Sequence, residues 1–313
     1  MACQKLITFD FVKGNYIMKM SRQSQVENIV FKNSKIVYRN EMNSIRFPNF
    51  SAMDFNLFFT ICYFGIKQNN KRKILRGFKI HFDDLRVFMP QIKNKKRFFD
   101  EIAKFVRYKL NLIGVNVFEY DEVLEENGVL RKIDNGKRKL KGAVFIKKFI
   151  LDEEKEELYL EFTSYAYSLL NEFGNFMSFD MNEFCSFENK YTKTLFRLLK
   201  QYENSNAYID EKNPHIKAIT MSKDEFKKFM DTPDNYESKD LERKVIKPSI
   251  KEIKSKTSYF NGSTHKSYSI QMIDYEKIFE EYEKKDNLIQ RKRRSVKGFK
   301  FIFEKMRFIA LFC

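Results

Sequence analysis

The 313-residue sequence contains no tryptophan, only three histidines and four cysteines, and only five prolines. Each scarcity removes a class of chemistry. Cys3, Cys62, Cys185 and Cys313 lie far apart and form neither a C-x-x-C pair nor a disulfide framework, so a reducing cytoplasm is the expected setting. His81, His215 and His265 are unpaired, whereas a DNA-nicking enzyme needs paired histidines to hold a metal beside a tyrosine nucleophile. No G-x-x-x-x-G-K-[ST] loop is present, so no ATPase motor is indicated. Neighbouring carboxylates such as Asp83 and Asp84 read as helix caps rather than metal ligands, and neither cofactor nor metal is expected. Purely apolar runs stay as short as FIALFC (Phe308–Cys313), far below the ~20 residues of a spanning helix, and the opening MACQKLITFDF has no extended apolar core. No membrane association is expected.

What the chain does have is phenylalanine and positive charge. With 34 Phe and 43% hydrophobic residues it can build cores for about two domains of ~100–200 residues each. Lys plus Arg outnumber Asp plus Glu by 59 to 42, a net charge of +17, and such a surface attracts polyanions. A lysine-rich composition can also follow from an AT-rich coding sequence, so the placement of the cations carries more weight than their number. They are unevenly spread: residues 51–120 are strongly basic, whereas residues 121–180 are acidic on balance.

Helical spacing dominates two stretches of the chain. In the first, SAMDFNLFFTICYFGI opens on Ser51 and Asp54 at capping distance and continues with Phe55, Phe58, Phe59, Cys62 and Ile66. FDDLRVFMP is a short helix closed by Pro90. KNKKRFFDEIAKFVRYKLNLIG then places Phe98, Ile102, Phe105 and Val106 on one side and stops by Gly114. Strand-like VNVFEY, AVFIKKFI and LYLEF follow, and Asp121–Gly142 reads as an irregular insertion. In the second stretch, SFENKYTKTLFRLLKQY is a helix capped by Ser186. MSKDEFKKFM has Ser222 and Glu225 in capping-box spacing. SKDLERKVIKPSIKEIKSKT is a third helix, followed by NGSTHKSYSIQMI and the strand VKGFKFIF. Helix, short helix, basic helix and hairpin, twice over, is the winged-helix order. The expected fold class is α+β, with two tandem winged-helix (helix-turn-helix) domains.

The third helix of the second round has the clearest division of faces. At ~100° per residue, Leu241, Val245, Ile246, Ile250 and Ile253 share one half of the wheel. Arg243, Lys244, Lys247, Lys251 and Lys254 fall within an arc of roughly 100° on the other. Five like charges repel one another, and an ordinary solvated face mixes signs, so this arc is the leading DNA-contact candidate. Lys239 at its start, Lys190 and Lys193 on the preceding helix, and Lys266 in the hairpin segment are further candidates. So are Arg291, Lys292, Arg293 and Arg294, just before the last strand. In the first half, Lys95, Lys96 and Arg97 are weaker candidates because their helix scatters its cations, and Lys137, Arg138 and Lys139 read as a wing tip touching phosphate. Glu242 and Glu252 lie with the apolar half, where they can pair with neighbours. Pro248 in the middle of the basic helix permits two readings: a kink in one helix, or the first turn of a separate one.

The stretch NKYTKTLFRLLKQY together with RKVIKPSIKEI resembles the replication initiators of theta-replicating plasmids, whose helices follow the types "skYsktLYrlLkqyk" and "rvLkPaikEI". Lys190, Tyr191, Lys193, Leu195, Leu198, Leu199, Lys200 and Tyr202 match the first, and Arg243, Val245, Lys247, Pro248, Ile250, Glu252 and Ile253 match the second. A looser similarity extends the resemblance over about Ile29 to Phe303. It implies two tandem winged-helix domains that bind repeated double-stranded DNA sites (iterons) at a plasmid origin. It also implies a homodimer that represses its own gene, in equilibrium with monomers that initiate replication with the host initiator and replicative helicase. It places the proline inside the recognition helix. On this basis residues 1–30 are expected to be a flexible arm and 31–175 a winged-helix domain for dimerisation and auxiliary DNA contact. Residues 176–306 are the iteron-recognition domain and 307–313 a tail. Asp121–Gly142, Asp274–Gln290 and the tail MRFIALFC depart from the family pattern. A winged-helix transcriptional regulator is the alternative, distinguished by a single palindrome rather than tandem repeats beside the gene. A nicking enzyme is a weaker one.

Overall fold

The computed structural model describes residues 9–12, 15–18, 34–45, 47, 49–72, 77–87, 89, 91–110, 113–119, 121–124, 130–133, 139–171, 176–204, 209–210, 213–258, 270–279 and 295–305. Within the stretch expected to be a flexible arm, β1 (Phe9–Val12) and β2 (Asn15–Met18) pair as an antiparallel hairpin. The first half continues through β3 (Lys35–Arg39), α1 (Ala52–Arg72), β4 (Phe78–His81), α2 (Phe82–Arg86) and α3 (Lys95–Tyr108). Ser51 and Asp54 cap α1 reciprocally: the Asp54 N–H donates to Ser51 Oγ and the Ser51 N–H to Asp54 Oδ2 (3.2 and 2.7 Å). Every residue from Phe55 to Gly65 is buried, so α1 is a core helix wrapped on all sides rather than a surface helix. The Phe-rich composition is spent here: Phe47, Phe50, Phe55, Phe58 and Phe59 meet edge-on or tilted at 5.1–6.4 Å. Gly65 lets α1 cross the sheet closely, since a Cβ there would lie 2.4 Å from a ring atom of Phe162.

The segment expected to be an irregular insertion is instead a β-ribbon. β5 (Gly114–Glu119) pairs with β8 (Lys139–Val144), and β6 (Asp121–Leu124) with β7 (Leu130–Ile133). Its pairing partners are up to 30 positions apart in sequence (Gly114 opposite Val144), which local composition does not reveal. Helix α3 also ends earlier than expected, at Tyr108, and Gly114 opens β5. β9 (Ile146–Asp152) and β10 (Glu157–Phe162) then form a hairpin on β4, giving the sheet order β4-β10-β9.

After α4 (Ser164–Asn171), β11 (Phe176–Asp180) pairs with β3, so the first half's strand is closed by residues that follow position 175. The second round is α5 (Met181–Ser186), α6 (Lys190–Tyr202), β12 (Ile209–Asp210), β13 (Asn213–Ser222) and α7 (Lys223–Phe229). It ends with α8 (residues 238–258), β14 (Ile270–Phe279) and β15 (Val296–Lys305). Its sheet runs β12-β13-β15-β14. In both sheets the strand just before the short helix (β4 and β13) pairs with the last strand of the hairpin, and that strand with the one before it. The same order recurs with unrelated side chains, as two winged helices in tandem require. No helix among the described residues is long and apolar enough to cross a membrane.

Helix α6 joins the two halves. It packs on the elements around β3, α1 and β11, and also on β13 and α8. Arg197, 1% exposed, donates to Asn43 Oδ1 (2.7 Å), Tyr38 Oη (3.2 Å) and the Met42 carbonyl (3.3 Å). Its guanidinium also lies 4.8 Å from the Phe47 ring and 5.3 Å from that of Phe59. Asn43 donates in turn to Gln201 Oε1 (2.8 Å) on α6. A second, exposed link runs between loops: Lys109 Nζ donates to the Asn49 carbonyl (2.6 Å) and the Asn49 N–H to Asp231 Oδ2 (3.3 Å).

Candidate nucleic-acid interface

The basic segment folds as one continuous helix made of Ser238–Asp240, the wide turn Leu241–Ile246 and Lys247–Ser258. The middle piece is a π-turn, in which the Lys247 N–H donates to the Glu242 carbonyl five residues back. This resolves the two readings of Pro248 in favour of a single distorted helix. Proline has no N–H to offer and its ring crowds the turn below, so widening that turn relieves both problems without ending the helix. The apolar half is buried as the wheel predicts: Leu241, Val245 and Ile246 are fully buried, and Ile250 and Ile253 nearly so.

The opposite edge is exposed and cationic. Lys239, Arg243, Lys244, Lys247, Lys251 and Lys254 all face solvent, and 69% of the Arg243 side chain is open to it. Two carboxylates border them. Asp240 accepts an ion pair from Lys244 (3.0 Å) and a longer one from Arg243 (3.5 Å), and the Lys244 bond holds its pKa below the usual carboxylate range. Lys244 Nζ also lies 4.5 Å over the Tyr236 ring. Glu242 faces the hairpin, where Tyr275 and Lys277 of β14 reach it. Sequence periodicity places Glu242 correctly beside the apolar half but names no partner, because those partners lie across the sheet.

Glu252 has an equally specific task. Its carboxylate accepts the Glu188 N–H (2.5 Å) and the Asn189 N–H (3.4 Å), just before the start of α6. The basic helix therefore supplies an anion to the positive end of its neighbour, where unpaired N–H groups and the helix dipole favour one. The cap of α6 itself is Asn189, which accepts the Tyr191 N–H (2.8 Å), and not Ser186 as expected. Ser186 sits at the end of α5 instead, donating to the Glu183 carbonyl (2.7 Å). The capping box on α7 forms as expected: the Glu225 N–H donates to Ser222 Oγ and the Ser222 N–H to Glu225 Oε2.

Among the described candidates, Lys193 is the one whose position rules out contact with a ligand on this surface. It is 0% exposed, its ammonium donates to the Phe184 carbonyl (2.6 Å), and it lies 4.5 Å over the Phe184 ring. Burial lowers its pKa to about 8. Its helical position makes it look solvent-facing, because a wheel for α6 alone does not show α5 folding over that face. Lys190 is half-buried, with its ammonium 4.8 Å from the Tyr191 ring. In the first half, Lys95, Lys96 and Arg97 form the exposed first turn of α3, capped by Asn94, and Lys95 pairs with Glu156 (2.8 Å). Lys139 falls on β8 opposite Glu119. Lys137, Arg138, Lys266, Arg291, Lys292, Arg293 and Arg294 lie outside the described residues, as does the tail. Among the described residues no cluster of three or more His, Cys, Asp or Glu is placed to hold a metal ion.

The π-turn yields a test. Pro248→Ala is expected to raise stability by about 1–2 kcal/mol, part of the ~3 kcal/mol that an interior proline costs, because an N–H becomes available to the turn. A regular turn would also rotate Arg243 and Lys244 relative to Lys251 and Lys254. Thermal denaturation measures the gain, and an unchanged or lower melting temperature would show that the wide turn already relieves the proline in full.

A solved initiator shares this architecture. The solved structure "Crystal structure of Pi initiator protein in complex with iteron DNA" matches 88% of this chain and 99% of its own, with 17% identity and a TM-score of 0.52, a likeness of fold. Domains 2 and 3 of RctB align over 81% of this chain and 82% of theirs, at 11% identity and a TM-score of 0.44. No curated protein matches the chain. Residues 35–200 match the family model described as "Initiator Replication protein, WH1" and residues 222–303 the one described as "Initiator Rep protein, WH2". With both winged helices matched across most of its length, the chain belongs to the family of initiator replication proteins.

Proposed function

We propose that this chain initiates plasmid DNA replication by binding iterons, repeated double-stranded sites at the origin, with α8 as the helix that enters the major groove. The observation that carries this reading is the single cationic edge of α8, opposite a fully buried apolar face and beside the β14–β15 hairpin. The similarity in fold to the Pi initiator, which was solved with iteron DNA, supports it. In this proposal Arg243 and Lys244, on the wide turn, meet base edges. Lys239, Lys247, Lys251 and Lys254 grip phosphates, and so do Lys266 and the cluster Arg291–Arg294. The first half contributes dimerisation and auxiliary contacts through Lys95, Lys96, Arg97 and the Lys137–Lys139 region. The remaining roles are repression of its own gene as a dimer, recruitment of the host initiator and replicative helicase, and action without enzymatic chemistry.

Reading and gripping separate experimentally, because base contacts give selectivity while phosphate contacts give salt-dependent affinity. Arg243→Ala is expected to cost ~1–3 kcal/mol on a duplex carrying the tandem repeats beside the gene, and little on a scrambled duplex. Alanine at Arg291, Lys292, Arg293 and Arg294 together should weaken both duplexes alike. It should also flatten the salt dependence by roughly 0.9 for each phosphate no longer neutralised. Salt titrations of both variants on both duplexes make the comparison. Equal fractional losses on both duplexes for Arg243→Ala would remove α8 as the reader, and a covalent protein–DNA product with Mg²⁺ and supercoiled origin DNA would overturn the non-enzymatic reading.

A further inference from the structure

Glu242 sits inside the turn that carries Arg243 and Lys244, and its carboxylate lies between Lys247 of the cationic edge and the hairpin strand β14. Its side chain, 17% exposed, gathers three donors. Oε1 accepts from the Tyr275 hydroxyl (2.7 Å) and pairs with Lys247 Nζ (2.9 Å), and Oε2 pairs with Lys277 Nζ (2.6 Å). Tyr275 and Lys277 are two residues apart on β14 and therefore on one face of that strand. Lys247 belongs to α8 and closes the π-turn with its own N–H on the Glu242 carbonyl. Helix and hairpin are thus joined at one carboxylate, and the backbone of the wide turn is closed by the same pair of residues that forms the ion pair. The Lys277 bond, aided by Tyr275 and Lys247, holds the Glu242 pKa down to about 2, so the carboxylate stays charged at any pH used for DNA binding.

We infer that Glu242 is a specificity-determining positioning residue: it locks the DNA-facing turn of α8 to the hairpin strand β14, so that helix and wing meet DNA as one body. The inference rests on the proposal that α8 reads bases. Its physical basis is angular. The first turns of α8, held by the non-directional apolar contacts of Leu241, Val245 and Ile246, can rock about them, whereas a charged tether to two side chains of a hydrogen-bonded strand cannot slide without breaking ion pairs that are partly shielded from water. Removing the tether deletes no DNA-facing cation, frees Lys247 from its carboxylate and adds net positive charge. Selectivity should therefore fall while general affinity does not.

The probes are a duplex enriched by the wild-type chain from random-sequence DNA and a scrambled duplex of equal length and composition. Glu242→Gln is expected to reduce the affinity ratio between them about tenfold, the scale of a single base-specific hydrogen-bonded pair, with affinity for the scrambled duplex unchanged or higher. Lys277→Met, which leaves Glu242 its bonds to Tyr275 and Lys247, should lower the same ratio, and the double variant should lose no more than Glu242→Gln alone. If Glu242→Gln raises both affinities equally and keeps the ratio, the residue only screens Lys247 and Lys277, and the inference is wrong. If Lys277→Met weakens both duplexes in proportion, Lys277 grips phosphate rather than anchoring the helix, which also overturns it. Failure of the underlying reading looks different: the wild-type chain would enrich no sequence, or Arg243→Ala would leave the ratio intact. Should Glu242→Gln melt below the assay temperature, Lys277→Met decides by the same ratio.

Discussion

Arg197→Met is expected to destabilise the protein by about 2–4 kcal/mol, which lowers the melting temperature by roughly 3–6 °C in a chain of this size. The substitution keeps length and apolar volume but removes every donor that Asn43, Met42 and Tyr38 receive from this side chain. Two opposing effects decide the size. Burying a guanidinium costs several kcal/mol, and its removal gives that back. Against this, three buried oxygens lose a charged donor at ~1–3 kcal/mol each, although Asn43 Oδ1 still accepts from the Tyr38 hydroxyl and the Met42 carbonyl from the Ile45 N–H, and the cation no longer lies against the Phe47 and Phe59 rings. Among the described residues no carboxylate pairs with Arg197, so the cation is held by neutral oxygens and aromatic faces, and methionine cannot replace either. Because the acceptors belong to the first half and the arginine to α6, the variant should also unfold less cooperatively, with the two winged helices separating into distinct transitions. Calorimetry with an added probe for each half tests this. A single unshifted transition would show that the halves do not depend on Arg197 to stay joined.

Lys193 carries the second large effect, and it depends on pH. Burial lowers its pKa to about 8 from an ordinary 10.5, so the folded state holds this proton less tightly than the unfolded chain does. The unfolded state therefore binds more protons between pH 8 and 10.5, and the residue's contribution to stability rises with pH across that window. Below pH 8 its full penalty stands, roughly 3 kcal/mol at ~1.4 kcal/mol per pH unit. Cys185, pushed up to about 12 by burial, works in the opposite direction above about pH 9. The difference between wild type and Lys193→Met isolates the lysine. At about pH 7 the two should be within about 2 kcal/mol of each other, because methionine relieves the charge but leaves the Phe184 carbonyl with only the longer bond from the Phe187 N–H (3.4 Å). From about pH 7 to pH 10.5 the wild type should gain roughly 3 kcal/mol on the variant, read from urea unfolding at each pH. A difference that stays flat across that range would mean the ammonium reaches water in the folded state.

Much of this protein is local enough for sequence to determine. The five apolar residues of α8 and its five cations separate by helical period alone, and the structure buries the first set and exposes the second. The Ser51–Asp54 and Ser222–Glu225 caps are contacts between residues three apart, so spacing is sufficient to find them. The repeated order of helices and hairpins, and hence two winged helices, follows from the same periodicities. The tertiary structure decided what depends on chain segments that meet from afar. β11 closes on β3 across some 140 positions, and the ribbon pairs Gly114 with Val144, neither of which leaves a local trace. Asn189 rather than Ser186 caps α6, and an anion, Glu252, reaches the same helix start from α8. Lys193 reads as a surface candidate until α5 covers it, and the Phe47–Phe59 cluster likewise encloses Arg197, which the helical period does not mark as buried. Periodicity reports which side of a helix a residue takes, and only packing reports what lies on that side. For the same reason Pro248 leaves two readings open in the sequence: whether a helix survives an interior proline depends on the tertiary contacts that hold its apolar face while one turn widens.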